Sequence, residues 1–192
     1  MRKQQDTPVT KHTVLIGGVA DMWEKMYWDV DHFCDLQRTY PEEKQPLVFS
    51  AINACISSKS LEDWTKSAWM KAARSAGETP SGEDFQERLT AAIPIQDLCA
   101  DIANTSKHAS YRDSRHPDGH LNLKWDDGAE IQPACQMLLR SGDGSQVLLL
   151  SDLDKLPRQW WRFLRSLELV DGEQPTPVWL QKKLSRIFGG AD

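Results

Sequence analysis

Asp97, Asp101, Asn104 and His108 recur at intervals of four, three and four, the spacing that stacks side chains in one row on a helix. A row of two carboxylates, an amide and an imidazole has two chemical uses. It could hold a cation, or His108 could serve as general acid or base with Asp101 or Asn104 steering its ring. Lys107 places a positive charge beside the imidazole. The plainer reading is that an amphipathic helix needs a polar face, and these residues populate it. Asn104 argues for more, because asparagine competes for backbone hydrogen bonds inside a helix and sits there more often where its side chain is held.

A second candidate follows directly. In Tyr111-Arg112-Asp113-Ser114-Arg115-His116-Pro117-Asp118-Gly119-His120, the two arginines beside an aromatic ring suit phosphate and single-stranded RNA. His116 and His120 with Asp113 would suit a transition metal only if the loop gathered them with His108 or Asp101, so no metal site is assigned. A charged surface loop is the ordinary alternative. Among the eight tryptophans, Trp23, Trp64, Trp69 and Trp160 fall on apolar faces and read as core. Trp161 and Trp179 fit those faces less well and are expected as exposed anchors for a partner.

The elements that must position these residues come from periodicity. Met22/Trp23, Met26/Tyr27, Val30 and Phe33/Cys34 form one helical stripe, stopped near Tyr40-Pro41. A second segment begins after Pro46, with Ser57-Ser58-Lys59-Ser60 as an expected interruption before Leu61, Trp64 and Trp69 resume the period to Gly77. Phe85, Leu89 and Ile93 mark a third helix, and Pro94 must break it, so the polar row starts on a kink or a fresh helix. Leu121, Leu123 and Trp125 then alternate with polar residues towards Asp127-Gly128, a hairpin signal. A second strand carries Ile131, Cys135, Met137 and Leu139, and Val147 to Leu150 supplies a third. Helix returns from Asp154 to Leu169, and after a proline-rich linker Val178 to Phe188 forms a short amphipathic basic helix. That last helix could dock on a protein partner, on a second copy of the chain, or back on its own domain.

Asp101-Ile-Ala-Asn104-Thr-Ser-Lys107-His108 resembles the I-A-N-x-x-K-H stretch of a group of bacterial helical proteins, which in turn resembles the HEPN superfamily of small helical bundles. The first-helix stripe, Leu61-Glu-Asp-Trp64 and Trp160-Trp161-x-Phe-Leu164 are similar to that group too, so the likeness spans roughly residues 20–168. The resemblance implies a homodimer that binds or cleaves RNA in bacterial stress or phage defence. It carries catalytic roles only to His108, with Asn104, Asp101 and Lys107 beside it. The family's ribonuclease signature has an arginine four to six positions ahead of the histidine, and no arginine stands there before His108. Arg115 to His120 matches that spacing through His116-Pro117-Asp118-Gly119, a turn sequence that cannot be helical.

The bulk properties set the frame. A chain of 192 residues with 40% hydrophobic and 27% charged residues is sized for one domain with a real core. A formal charge of −5 argues against a general electrostatic grip on nucleic acid and leaves room for local basic patches. The four cysteines are far apart, without a C-x-x-C pair, and read as buried thiols. With no long apolar run and no signal-like start, the expectation is a cytoplasmic protein that needs no membrane and no cofactor. The expected fold is α+β, mainly α: a bundle of about four helices over residues 19–170, with an antiparallel β-meander at about 120–151 before the last bundle helix. A flexible segment at 1–18 precedes it and the amphipathic helix at 177–189 follows. The competing functional expectation is a catalytically silent interaction or accessory protein.

Overall fold

A computed structural model describes residues 15–108, 114, 120–128, 133–140, 144 and 146–189. Among them the chain is mainly α with a small antiparallel sheet, as its periodicities require. Helix α1, Val19–Thr39, buries Met22, Trp23, Met26, Val30, Phe33, Cys34 and Gln37, the three-and-four spacing of one face. Its start is held by the Asp21 carboxylate, which accepts from the N–H groups of Gly17 at 2.8 Å and Gly18 at 3.1 Å.

Helix α2, Lys44–Ser75, takes Pro46 into its first turn and runs unbroken through the serine cluster expected to interrupt it. Each serine finds a partner that leaves the helix intact. Ser57 donates to Asp29 of α1, Ser58 donates to Gln96 Oε1 at 2.6 Å, and Ser60 bonds back to the Ile56 carbonyl at 2.8 Å. Helix α3, Gly82–Ala92, is capped by Ser81, whose hydroxyl accepts from the Asp84 N–H at 2.9 Å. Pro94 separates it from α4, Gln96–Lys107, so the polar row does lie on a fresh helix.

Three strands follow, β1 His120–Asp126, β2 Ala134–Arg140 and β3 Gln146–Leu148, in the order β1-β2-β3. The register sets Leu121 opposite Leu139, Leu123 opposite Met137 and Trp125 opposite Cys135, so one face of the hairpin is apolar throughout. The third strand stops earlier than its sequence suggests. Leu149 already opens α5, Leu149–Leu153, because its two end leucines, four apart, are both buried at helical spacing. Helix α6, Leu156–Ser166, and helix α7, Val178–Phe188, complete the chain.

The core is aromatic and aliphatic: Trp23, Met26, Phe33, Phe85 and Trp160 have at most 1% of their surface exposed. Bundle helices α1, α2, α4 and α6 meet there. Two backbone-level ties fix the sheet against them. Cys135 N–H donates to the Pro41 carbonyl at 2.7 Å, and Gln37 Nε2 of α1 donates to the Cys135 carbonyl at 2.8 Å. No helix among the described residues is long and apolar enough to cross a membrane.

Candidate functional site

The polar row of α4 does not act as a unit. Asp97 is spent on tying α3 to α4, accepting from Gln86 Nε2 and Thr90 Oγ1, each at 3.2 Å. Asp101, 7% exposed, accepts from the Ser114 hydroxyl at 2.7 Å. Asn104 is half-buried, and Lys107 and His108 are exposed at the helix end. His108 is the C-cap, its N–H donating to the Asn104 carbonyl at 2.9 Å. The first carboxylate thus stabilises packing, the second holds the Ser114 hydroxyl, and the imidazole stands in solvent.

What the tertiary structure adds is a cleft of about 510 Å³ between α2, α4 and β1. Val48 and Ile52 of α2, Leu98 and Ile102 of α4, and Leu121, Leu123 and Met137 of the hairpin give it apolar walls. Its polar lining is Asp101, Thr105, Ser106, Ser114, His120 and Asn122, so Asp101 is the member of the predicted row that lines it. Among the described residues the Ser114 hydroxyl bonds the Asp101 carboxylate directly, not through an imidazole of the kind that relays a proton from a hydroxyl nucleophile. Apolar walls with a few convergent polar groups are instead the character of a recognition site.

Strand β1 is the edge of the sheet, pairing on one side with β2 and, among the described residues, with no strand on the other. It is seven residues long and contains no proline. Leu123, on the cleft wall, and Trp125 of the same strand are 37% and 45% exposed, and Phe49 on α2 is 60% exposed. The meander expected from the sequence already places β1 at an edge, whereas the cleft beside it depends on how α2 and α4 pack on the sheet.

The remaining predicted residues fall elsewhere. Trp161, expected to be exposed, is buried against Trp23 with ring centroids 4.7 Å apart, and its Nε1 donates to the Gly172 carbonyl at 3.4 Å. Trp179, also expected as an anchor, packs edge-on against Tyr27 and Trp28 at 5.7 and 4.9 Å. Trp161 is covered because α6 packs on α1, and Trp179 because the chain after α6 returns α7 to α1. Lys183 there bridges Asp31 and Asp35, each at 2.6 Å, while Leu184, Ile187 and Phe188 remain exposed. Arg112, Arg115 and His116 lie outside the described residues. Among the described residues no group of three histidine, cysteine or acidic side chains could hold a metal ion.

A second cavity, of about 390 Å³, opens between α1 and α6. Cys34 on its wall donates through Sγ to Asp154 Oδ1 at 3.8 Å. Burial, then the Asp154 charge, push that thiol up to about 12. It is therefore protonated at physiological pH and a poor nucleophile. Comparison with protein-family models, curated proteins and solved structures finds no match to this chain.

Proposed function

We propose that the protein is a catalytically silent interaction protein that takes an extended, alternately apolar peptide segment of a partner along β1. The observation that carries this reading is the apolar cleft bordered by an open edge strand. A peptide added to that edge gains main-chain hydrogen bonds, and every second side chain points towards the cleft wall. Asp101 and Ser114 in the cleft lining would set direction by meeting a donor on the peptide.

The test is selection from a random-peptide display library, followed by titration of the selected peptides. Sequences with apolar residues at every second position are expected, shifting the amide resonances of residues 120–126. Leu123→Glu should weaken them by about tenfold or more, since it puts a charge into an apolar contact. Recovery of no peptide, or of peptides indifferent to Leu123→Glu, would overturn the reading.

RNA binding or cleavage, as the HEPN resemblance implies, is a second reading, supported by the exposure of Lys107 and His108 at the open end of α4. There a phosphodiester can reach both a cation and an imidazole, and a homodimer would supply a second pair. Purified protein incubated with total cellular RNA, with and without EDTA, should then cleave it, and His108→Ala should not. Intact RNA with the wild-type protein, and no retardation of labelled oligonucleotides, would remove this reading.

A further inference from the structure

We propose that the cavity between α1 and α6 binds a small phosphate monoester bearing hydroxyl groups, of the size of a sugar phosphate or mononucleotide. Two helical stripes face each other across it: Tyr27, Cys34 and Arg38 from α1, and Arg158, Gln159 and Arg162 from α6. Arg158 and Arg162 stand one helical turn apart, which lets two guanidinium groups address one anion. Neither forms an ion pair among the described residues, and Arg38 has only a long contact with Asp35, at 3.7 Å.

The neighbouring acids do not cancel this charge. Asp31 is taken by Lys183 at 2.6 Å, and Lys155 is paired with Asp152 at 3.1 Å. Lys183 also holds Asp35, so Asp31, Asp35 and Asp154 stand against Lys183 and the three arginines, an excess of one positive charge.

Two acceptors make the ligand more than an anion. Asp154 and Gln159 border the cavity, and Gln159 Oε1 is buried without a hydrogen-bond partner among the described residues. An unmet buried acceptor costs stability unless a donor reaches it. A phosphate on the arginines with hydroxyls towards Asp154 and Gln159 would satisfy both ends. The volume of about 390 Å³ falls in the range of small-ligand sites.

The full chain should be titrated calorimetrically with ribose 5-phosphate, AMP and inorganic phosphate in turn. A phosphate ester should bind with a dissociation constant below about 1 mM, and inorganic phosphate more weakly because it leaves the acceptors unmet. Arg158→Gln combined with Arg162→Gln should weaken the ester by about tenfold or more, whereas Arg74→Gln, far from the cavity on α2, should leave it unchanged. Both arginines are exposed, so circular dichroism should report an intact fold in the double variant. Absence of heat with all three probes at millimolar concentration would overturn the proposal. So would equal binding by wild type and double variant, an equal loss in Arg74→Gln, or inorganic phosphate binding as tightly as either ester.

Discussion

Replacing Gln96 with leucine is expected to lower the free energy of unfolding by about 3–5 kcal/mol, more than loss of an ordinary hydrogen bond costs. Gln96 has none of its surface exposed and stands where α2, α4 and α6 meet. Its Oε1 accepts from Ser58 Oγ at 2.6 Å and Trp160 Nε1 at 3.3 Å, and its Nε2 donates to Glu62 Oε2 at 2.8 Å. Glu62 is 3% exposed and also bound to Lys59 at 3.2 Å. Leucine fills the space but strips a donor from a buried carboxyl group and an acceptor from a buried hydroxyl. Trp160 keeps its bond to Ser58 Oγ at 3.0 Å, so the loss falls mainly on Glu62 and Ser58. Urea denaturation followed by circular dichroism measures the cost. In a cycle with Glu62→Leu the two losses should be less than additive, since the second substitution removes the carboxylate that the first deprived of a donor. A cost below about 1 kcal/mol would mean that the network contributes little to holding α4 against α2.

Alkaline pH is the second large lever. The resolved shifts among the described residues, in Tyr27, Cys34, Lys59, Cys99 and Lys183, are all upward. For the thiols and the phenol, the folded state keeps a proton that the unfolded chain has released. Burial is the leading cause for Tyr27 and Cys34, and the hydrogen bond with Cys55 for Cys99. For Lys59 and Lys183, burial opposes the charge but is outweighed by hydrogen bonds to Asp63 and to Asp31 and Asp35, with added attraction from these and other carboxylates. Their contribution is present below the ordinary lysine value of 10.5 and is lost as pH rises through the higher folded value.

Both kinds of group therefore make stability fall in the same direction. With Cys34 moved from 9.0 to about 12, the folded state binds the extra proton throughout that window. Each pH unit within it should cost about 1.4 kcal/mol from this thiol alone. The urea midpoint should hold between pH 7 and about 8.5 and drop steeply from about 9 upward. In Cys34→Ala the drop should be shallower, whatever the variant's stability at neutral pH. A midpoint independent of pH up to about 10.5 would contradict these environments.

Helices α1, α3, α4 and α6 and the β1–β2 hairpin were legible because each carries its own period: Met22 to Gln37, Phe85 to Leu89, and Leu121, Leu123 and Trp125 alternating beside Asp127-Gly128. The unbroken course of α2 was not legible. Ser57 and Ser58 weaken a helix in isolation and are stabilised there by Asp29 and Gln96, partners 28 and 38 residues away in the chain. Trp161 and Trp179 were misjudged for the same reason, since the faces that cover them, Trp23 and Tyr27 with Trp28, belong to a distant helix.

The candidate site divides in the same way. Sequence alone determined that Asp97, Asp101 and Asn104 share a helix that ends at His108, that four cysteines are unpaired thiols, and that the protein is a helical bundle with a small meander. These follow from period and punctuation, which act over a few residues. Only the tertiary structure decided that Asp97 is consumed by α3, that Asp101 turns to Ser114 and the cleft, and that His108 faces solvent. Nor could spacing show that Arg38 meets Arg158 and Arg162 across a cavity. A helix fixes which residues share its face, whereas what that face meets depends on how bundle helices and sheet edge pack together, a property of the whole chain.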